Sequence, residues 1–336
     1  MIAVHLADRM ALPAPYTVRP YRGRADHAAM CEILADHKLH GGGTGLPTLG
    51  QIDAAYGNLT SCDPTRDLAP IEAEGQPVAF VRTQRADLCD GSVDVGWFLP
   101  TVVRHAGNTE LYGAFVDAIE AHVGSRVDDT EQARFRTYVP HPGPGRAPTG
   151  AAAVLTDRGH DILTWTAIMV RPALDDIPDR RLPDGVEVRP VTDEQVRPIL
   201  EAHGEAFRGS WDFTEPTREE IDARIADPYH DPSMWKVAWA GDEIVGQVKS
   251  YINVATNGQL GIRRGHSENI ATHHEWRNRG VDGALPAMSL RELRDRGMTE
   301  AALNVDNGNP GGALHLYSRV GFEPVGHLAV YVEPVS

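Results

Sequence analysis

The stretch "ENIATHHEWRNRGVDGALPAMSLRELRDRG", from Glu268 to Gly297, holds groups whose spacing suits anion chemistry. Glu268 to Thr272 reads as a strand, and Arg277 and Gly280 fall in the loop after it. From Val281, the apolar residues Ala284, Leu285, Met288 and Leu293 recur at helical spacing until Gly297 ends the helix. Pro286 fits such a helix only near its first turn. A loop that runs straight into a helix leaves several backbone N–H groups unpaired at the positive end of the helix dipole. A glycine there lets a diphosphate come close. An ordinary strand-to-helix turn carries the same pattern, so this segment alone leaves both readings open. The run His273-His274-Glu275 is not read as a metal site, because adjacent strand residues point to opposite faces.

A second window, "NVDNGNPGGALHLYSRVGFEPVG" from Asn304 to Gly326, sets a Pro-Gly-Gly turn before a short helix that carries Tyr317 and stops at Gly321-Phe322. By itself Tyr317 is equally a half-buried core aromatic.

These segments need a scaffold, and the chain supplies two. With 336 residues and 41% hydrophobic content it can bury two cores of ordinary size. Strand and helix signals alternate in each half, which predicts an α/β (α+β) architecture. "YTVRPYRGRADHAAMCEIL" from Tyr16 resembles "VEVRPVTDEQVRPILEAHG" from Val186, and "EGQPVAFVRT" resembles "AGDEIVGQVKS". "RHAGNTELYGAF" from Arg104 parallels "RNRGVDGALPAM" from Arg277, and "AAAVLTDRGH" from Ala151 parallels "ALHLYSRVGF" from Ala313. The offsets stay close: 188 − 18 = 170, 280 − 107 = 173 and 321 − 159 = 162. Similarities that recur in one order at one offset point to an internal duplication. The stretch "RPALDDIPDRRLPDG", Arg171 to Gly185, has the prolines and charges of a linker, which predicts one domain over 1–178 and a second over 179–336.

A net charge of −15 argues against a nucleic-acid partner. It leaves room for one phosphorylated small molecule held by backbone N–H groups. No apolar run spans a bilayer, and the opening residues lack the layout of a signal peptide, so a cytoplasmic location without membrane contact is expected. Cys31, Cys62 and Cys89 show no metal-ligand spacing and read as free thiols; no metal site is expected.

Taken together the motifs resemble the GNAT superfamily of N-acetyltransferases, in its tandem two-domain form similar to mycothiol synthase and to tandem proteins of actinobacterial antibiotic clusters. The carriers are Arg277 and Gly280 in "RNRGVD", and Asn309, Ala313, Leu316, Tyr317, Gly321 and Phe322 in the second window. The resemblance covers 186–335 specifically and 16–171 more weakly. It implies two GNAT folds, each a mixed, mostly antiparallel sheet flanked by helices, with acetyl-CoA as co-substrate and one molecule per domain as the upper limit.

It further implies that Tyr317 is the general acid that protonates the leaving thiolate. Glu268 is the preferred general base, with His266, His273 and His274 as competitors. Ile270, Thr272, Arg277, Arg279, Gly280, Val281, Gly283 and Asn309 would contact acetyl-CoA. In the first half the corresponding group would be Phe98, Arg104, His105, Ala106, Gly107, Asn108 and Thr109. Trp211, Phe213 and Trp235 line the acceptor pocket on this reading and fill the core on the other.

The pattern is departed from in each half. Asp282 stands where the family has Gly or Ala, and a carboxylate about 4 Å from a pyrophosphate costs roughly 1 to 4 kcal/mol. Thr109 is neutral at the matching place, but Leu155 and His160 replace Tyr317 and Phe322. Charge alone therefore predicts tighter acetyl-CoA binding in the first half and catalysis in the second.

No cysteine lies in either motif, so direct attack of an amine on the thioester is expected rather than an acyl-enzyme. The function implied is an N-acetyltransferase acting on a small-molecule amine, in specialised metabolism or thiol biosynthesis, as monomer or homodimer. The alternative is a non-catalytic acyl-CoA-binding sensor or scaffold.

Overall fold

The computed structural model describes residues 5–335 except 42, 58, 60–61, 89–90, 125–131, 208–216, 226–229 and 307–312. Cys89, Trp211, Phe213 and Asn309 lie outside the described residues. The chain forms two compact units: Met1–Thr166 with Gly326–Ser336, and Ala167–Val325.

The first unit runs α1 (Leu6–Arg9), β1 (Tyr16–Val18), α2 (Arg24–His40), α3 (Leu49–Gly57), α4 (Pro64–Asp67), β2 (Leu68–Ala73), β3 (Gln76–Asp87) and β4 (Val93–Phe98). It continues with α5 (Val103–Ala106), α6 (Thr109–Gly124), β5 (Ala133–His141), α7 (Ala151–Asp157) and the start of β6 (Asp161–Arg171). The second unit holds β7 (Val186–Arg189), α8 (Asp193–Phe207), α9 (Arg218–Ile225), β8 (Lys236–Ala240), β9 (Glu243–Tyr251), α10 (Val254–Leu260) and β10 (Arg264–Thr272). After these come α11 (Val281–Asp295), β11 (Glu300–Asp306), α12 (Ala313–Arg319) and the start of β12 (Glu323–Pro334).

The strand order is β1-β2-β3-β4-β5-β12 in the first unit and β7-β8-β9-β10-β11-β6 in the second. Neighbours are antiparallel from β1 to β4 and from β7 to β10, whereas β4–β5 and β10–β11 are parallel. Each unit thus carries the mixed strand order the repeat predicts, with one difference in chain use. The strand that borders β5 comes from the end of the chain, residues 326–334, and β6 completes the second unit from residue 167 onward. The sequence division at 178/179 therefore does not coincide with the compact units. A linker is legible from proline and charge, but the sheet edge on which a β-strand lands depends on long-range pairing.

In the second unit α11 is held against the sheet by close packing and by hydroxyls. Val281, Ala284, Leu285, Leu290 and Leu293 are fully buried at helical spacing. Gly265 lets Leu293 sit where a Cβ would be only 2.4 Å from the leucine methyl. Ser289 bonds both Ser250 on β9 (2.7 Å) and Ser267 on β10 (2.8 Å), deep in this interface. Pro286 lies in the second turn rather than the first, so the Asp282 carbonyl has no i+4 N–H partner. Pro286 is buried, which offsets part of that loss.

Candidate active site

β10 departs from regular pairing at the residues the sequence singles out. Opposite β9, Glu268 faces Lys249 and Ala271 faces Gln247, so one extra residue bulges from β10 between them. Asn269 takes φ +50° within this bulge. On the other side, the parallel ladder to β11 runs only from Arg264–Glu300 to His266–Ala302. Beyond it β10 continues to Thr272 and β11 to Asp306 without pairing to each other among the described residues, so the two strands part in a wedge.

The wedge ends at the start of α11. Gly280 is the N-cap with φ +97°, a conformation that costs a side-chain-bearing residue energy, and no side chain caps the helix. The N–H groups of Val281, Asp282 and Gly283 thus have no intrahelical partner. A Cβ on Gly283 would meet nothing within 4 Å, so this turn is open to a ligand. Arg277 and Arg279 are exposed beside it; Arg277 Nε reaches the Thr272 carbonyl at 3.4 Å and the Arg279 guanidinium lies 5.2 Å from the centre of the Trp276 ring. Ile270 is half-buried against the core, and Val281 is fully buried. Its side chain packs in the core, which leaves only its N–H to serve a ligand.

Tyr317, on α12, is 5% exposed and packs with Leu290, Leu293, Leu303 and Val305. Its ring meets Phe322 edge-on at 6.2 Å between centroids. Burial, and then the nearby Asp282 carboxylate, push the phenol well above its ordinary pKa. It is a proton donor throughout the physiological range and never a base. Asp282 thus sits close enough to bear on the tyrosine.

Glu268 is exposed and accepts a hydrogen bond from the Tyr251 hydroxyl at 3.0 Å. Tyr251 also stacks on His266, ring centroids 4.7 Å apart. Register places Lys249, Tyr251, His266 and Glu268 on one face of the sheet, opposite to the face on which Ser250 and Ser267 meet α11. His273 and His274 follow the strand rather than lie on it: His274 begins a 3₁₀ turn, and the two rings are 4.3 Å apart. The alternation argument against a metal at these residues therefore does not apply to them, although they are half-buried and exposed respectively.

Sequence reasoning missed Lys249. It is 6% exposed, and its ammonium, which lacks a hydrogen-bond partner among the described residues, lies 5.0 Å from the centre of the Trp235 ring. Burial, reinforced by Arg224, brings its pKa down to about 7. Burial, then Lys249 and Arg224, brings His203 to about 3. A lysine in an alternating strand gives no sequence signal that it faces the core. Trp235 itself is buried with Val196, Ile199 and Leu200, so packing is its main role.

The Lys249 placement predicts a pH dependence. Between about pH 7 and the unfolded value near 10.5, the unfolded chain binds the proton and the folded chain does not. Stability therefore rises with pH across that window, by at most about 1.4 kcal/mol per unit. Below pH 7 the cost of burying the charge is fully present, eased by the Trp235 ring face. Lys249→Met should be more stable than the parent at pH 6 and show a flatter profile; urea unfolding at pH 6 and 9 measures this. Parallel profiles would place the ammonium in water.

The first unit lacks both irregularities. β4 pairs with β3 without a bulge from Arg82–Phe98 to Asp87–Val93, and its ladder to β5 stays closed through Trp97–Thr137. Arg104, His105 and Ala106 form the short helix α5; Gly107 follows at φ −85°. Asn108 caps α6 by accepting from the Leu111 N–H at 3.0 Å, and Thr109 opens that helix. His105 is engaged on both ring nitrogens, by Tyr16 at 2.8 Å and by Arg104 at 3.1 Å. Phe98 packs edge-on to Phe80 at 6.1 Å. In the neutral loop on which the charge argument relied, His105 and Asn108 are thus bonded by the chain's own groups, while Gly107 faces open space.

The family profile for the acetyltransferase (GNAT) domain matches residues 187–325. A mycothiol acetyltransferase from Geodermatophilus obscurus is 32% identical over 158 residues, 44% of this chain and 48% of that protein. One from Streptomyces bingchenggensis is 33% identical over 155 residues, 45% of this chain and 47% of its own. The chain thus spans about half the length of the curated relatives it matches. Among solved structures, a GCN5-related N-acetyltransferase from Sphaerobacter thermophilus has TM-score 0.72 at 18% identity, covering 97% of both chains. A tandem GNAT protein from the clavulanic acid biosynthesis pathway has TM-score 0.64 at 13% identity, covering 96% of this chain and 99% of its own. The fold is that of tandem GNAT proteins, and the chain carries a GNAT acetyltransferase domain over residues 187–325.

Proposed function

We propose that the protein is an acetyl-CoA-dependent N-acetyltransferase acting on a small-molecule amine, with its catalytic site in the second unit. The observation that carries this reading is the bulged β10, parted from β11 and ending at the uncapped Gly280 helix start. The pyrophosphate of acetyl-CoA would rest on the N–H groups of Val281 to Gly283, and the pantetheine arm would lie in the wedge between β10 and β11.

The wedge also lets a thioester lie between two faces of one sheet. Glu268 faces the side away from α11, and Tyr317 packs on the α11 side. An amine entering from the Glu268 face loses its proton to that carboxylate as it attacks the thioester carbon. The tetrahedral oxyanion is held by backbone N–H of the bulge, the C–S bond breaks, and the Tyr317 hydroxyl protonates the departing sulfur. The mycothiol acetyltransferase relatives favour an acceptor amine from thiol biosynthesis, and the clavulanic acid neighbour keeps specialised metabolism in view only through its fold.

Incubating the full-length chain with acetyl-CoA and a panel of amines, cysteinyl amino sugars included, should release free CoA thiol only when the true acceptor is present. Tight acetyl-CoA binding without release by any amine would favour the sensor reading instead.

A further inference from the structure

The replacement of Phe322 by His160 in the first unit is absorbed by no part of the acetyl-transfer reading. The imidazole is fully buried, set edge-on to Trp97 at 6.0 Å. Its Nε2 is 3.2 Å from Glu333 Oε2, on β12, and 3.5 Å from Glu120 Oε1, on α6. All three residues belong to the first unit. Despite these approaches, neither ring nitrogen and not Glu120 Oε1 makes a hydrogen bond. The atoms are close, yet the ring's N–H direction is not aimed at either oxygen.

We propose that Glu120, His160 and Glu333 form a binding site for a divalent transition-metal ion. Donors about 2.0 to 2.1 Å from a tetrahedral Zn²⁺ stand roughly 3.3 Å apart, close to the two histidine–carboxylate distances of 3.2 and 3.5 Å. All three ligand atoms lie within 4.8 Å of one another. One imidazole with two carboxylates suits Zn²⁺, Co²⁺ or Mn²⁺ better than Mg²⁺ or Ca²⁺, which prefer oxygen alone. The carboxylates are about one-third exposed, so a water can complete the shell.

The neighbouring cation, Arg158, is paired with Asp117.

The duplicated half supplies an internal control. The offsets of the repeat place Leu293 at the position of Glu120 (293 − 120 = 173) and Phe322 at that of His160 (322 − 160 = 162). In the second unit these two are buried in one hydrophobic cluster. The first unit has donor atoms where its duplicate has hydrocarbon. A metal there would tie α6, the turn before β6 and the terminal strand β12 together, closing a long loop of chain.

The test uses the full chain stripped of metal with a chelator and titrated with Zn²⁺ or Co²⁺, and it does not depend on acetyl transfer. One equivalent should bind, Co²⁺ should show visible absorption of low coordination number, and Zn²⁺ at about 100 times its Kd should raise Tm by several degrees. His160→Phe, which installs the residue of the duplicate, and Glu333→Gln should fold yet lose the absorption and the Tm shift. No stoichiometric binding would overturn the proposal. So would binding that survives both substitutions but is lost in His273→Ala, which would place the ion at Glu243, His273 and Glu275 instead.

Discussion

Replacing Gly283 by glutamate is expected to weaken acetyl-CoA binding by about 100-fold or more while leaving the second unit folded. The position lies in the first turn of α11, its Cβ would have open space, and a glutamate there is favoured by the helix dipole. The same carboxylate would occupy the N–H groups offered to the pyrophosphate and repel it by roughly 1 to 4 kcal/mol at about 4 Å. Steric displacement adds to that. Gly107→Glu in the first unit, where the added side chain also meets open space, should leave the affinity within a few-fold. Calorimetry on both variants decides between the units. Loss of the tight site in Gly107→Glu alone would reverse the assignment and restore the charge argument in favour of the first half. Gly280 is a poorer choice, because at φ +97° any side chain brings strain that mimics a binding defect.

The second large effect is expected from Tyr317→Phe. Removal of one hydroxyl from a ring packed against Phe322 leaves the hydrophobic contacts in place, so stability and acetyl-CoA affinity should hardly change. Turnover should fall by about 10²-fold or more, as usual for the loss of a positioned general acid. The loss should appear in kcat, since the proton is needed as the thiolate leaves rather than when acetyl-CoA binds. Because burial raises the phenol pKa, the parent should show no activity loss from Tyr317 ionisation up to pH 10. Turnover unchanged with the true acceptor would remove Tyr317 from the mechanism.

Much of this was legible from residue order. The Val-Arg-Pro strands, the glycine loops and the terminal helices repeat at a nearly constant offset, and the structure shows the same succession of strands and helices in both units. The Gly280 loop was legible as a strand-to-helix turn, and only the resemblance of the motifs together set it apart from an ordinary one. Tyr317 was readable because its neighbours Ala313, Leu316, Gly321 and Phe322 form a motif.

Charge at single positions, Asp282 against Thr109, speaks for the first unit. The Asn108 cap and the closed β4–β5 ladder speak for the second, and no local residue count reveals them.

By itself, then, the sequence determined the duplicated α/β plan from a nearly constant offset, and the glycine before α11 and the phenol one turn before Gly321 from residues near one another in the chain. Tertiary structure alone decided that β10 parts from β11 while β4 stays paired to β5, that the terminal strand borders β5, that Lys249 is buried and that Glu120, His160 and Glu333 converge. Each of these depends on pairing register or on contacts between residues far apart in the chain. A one-residue slip in register moves a side chain to the other face, and nothing local in the sequence records it.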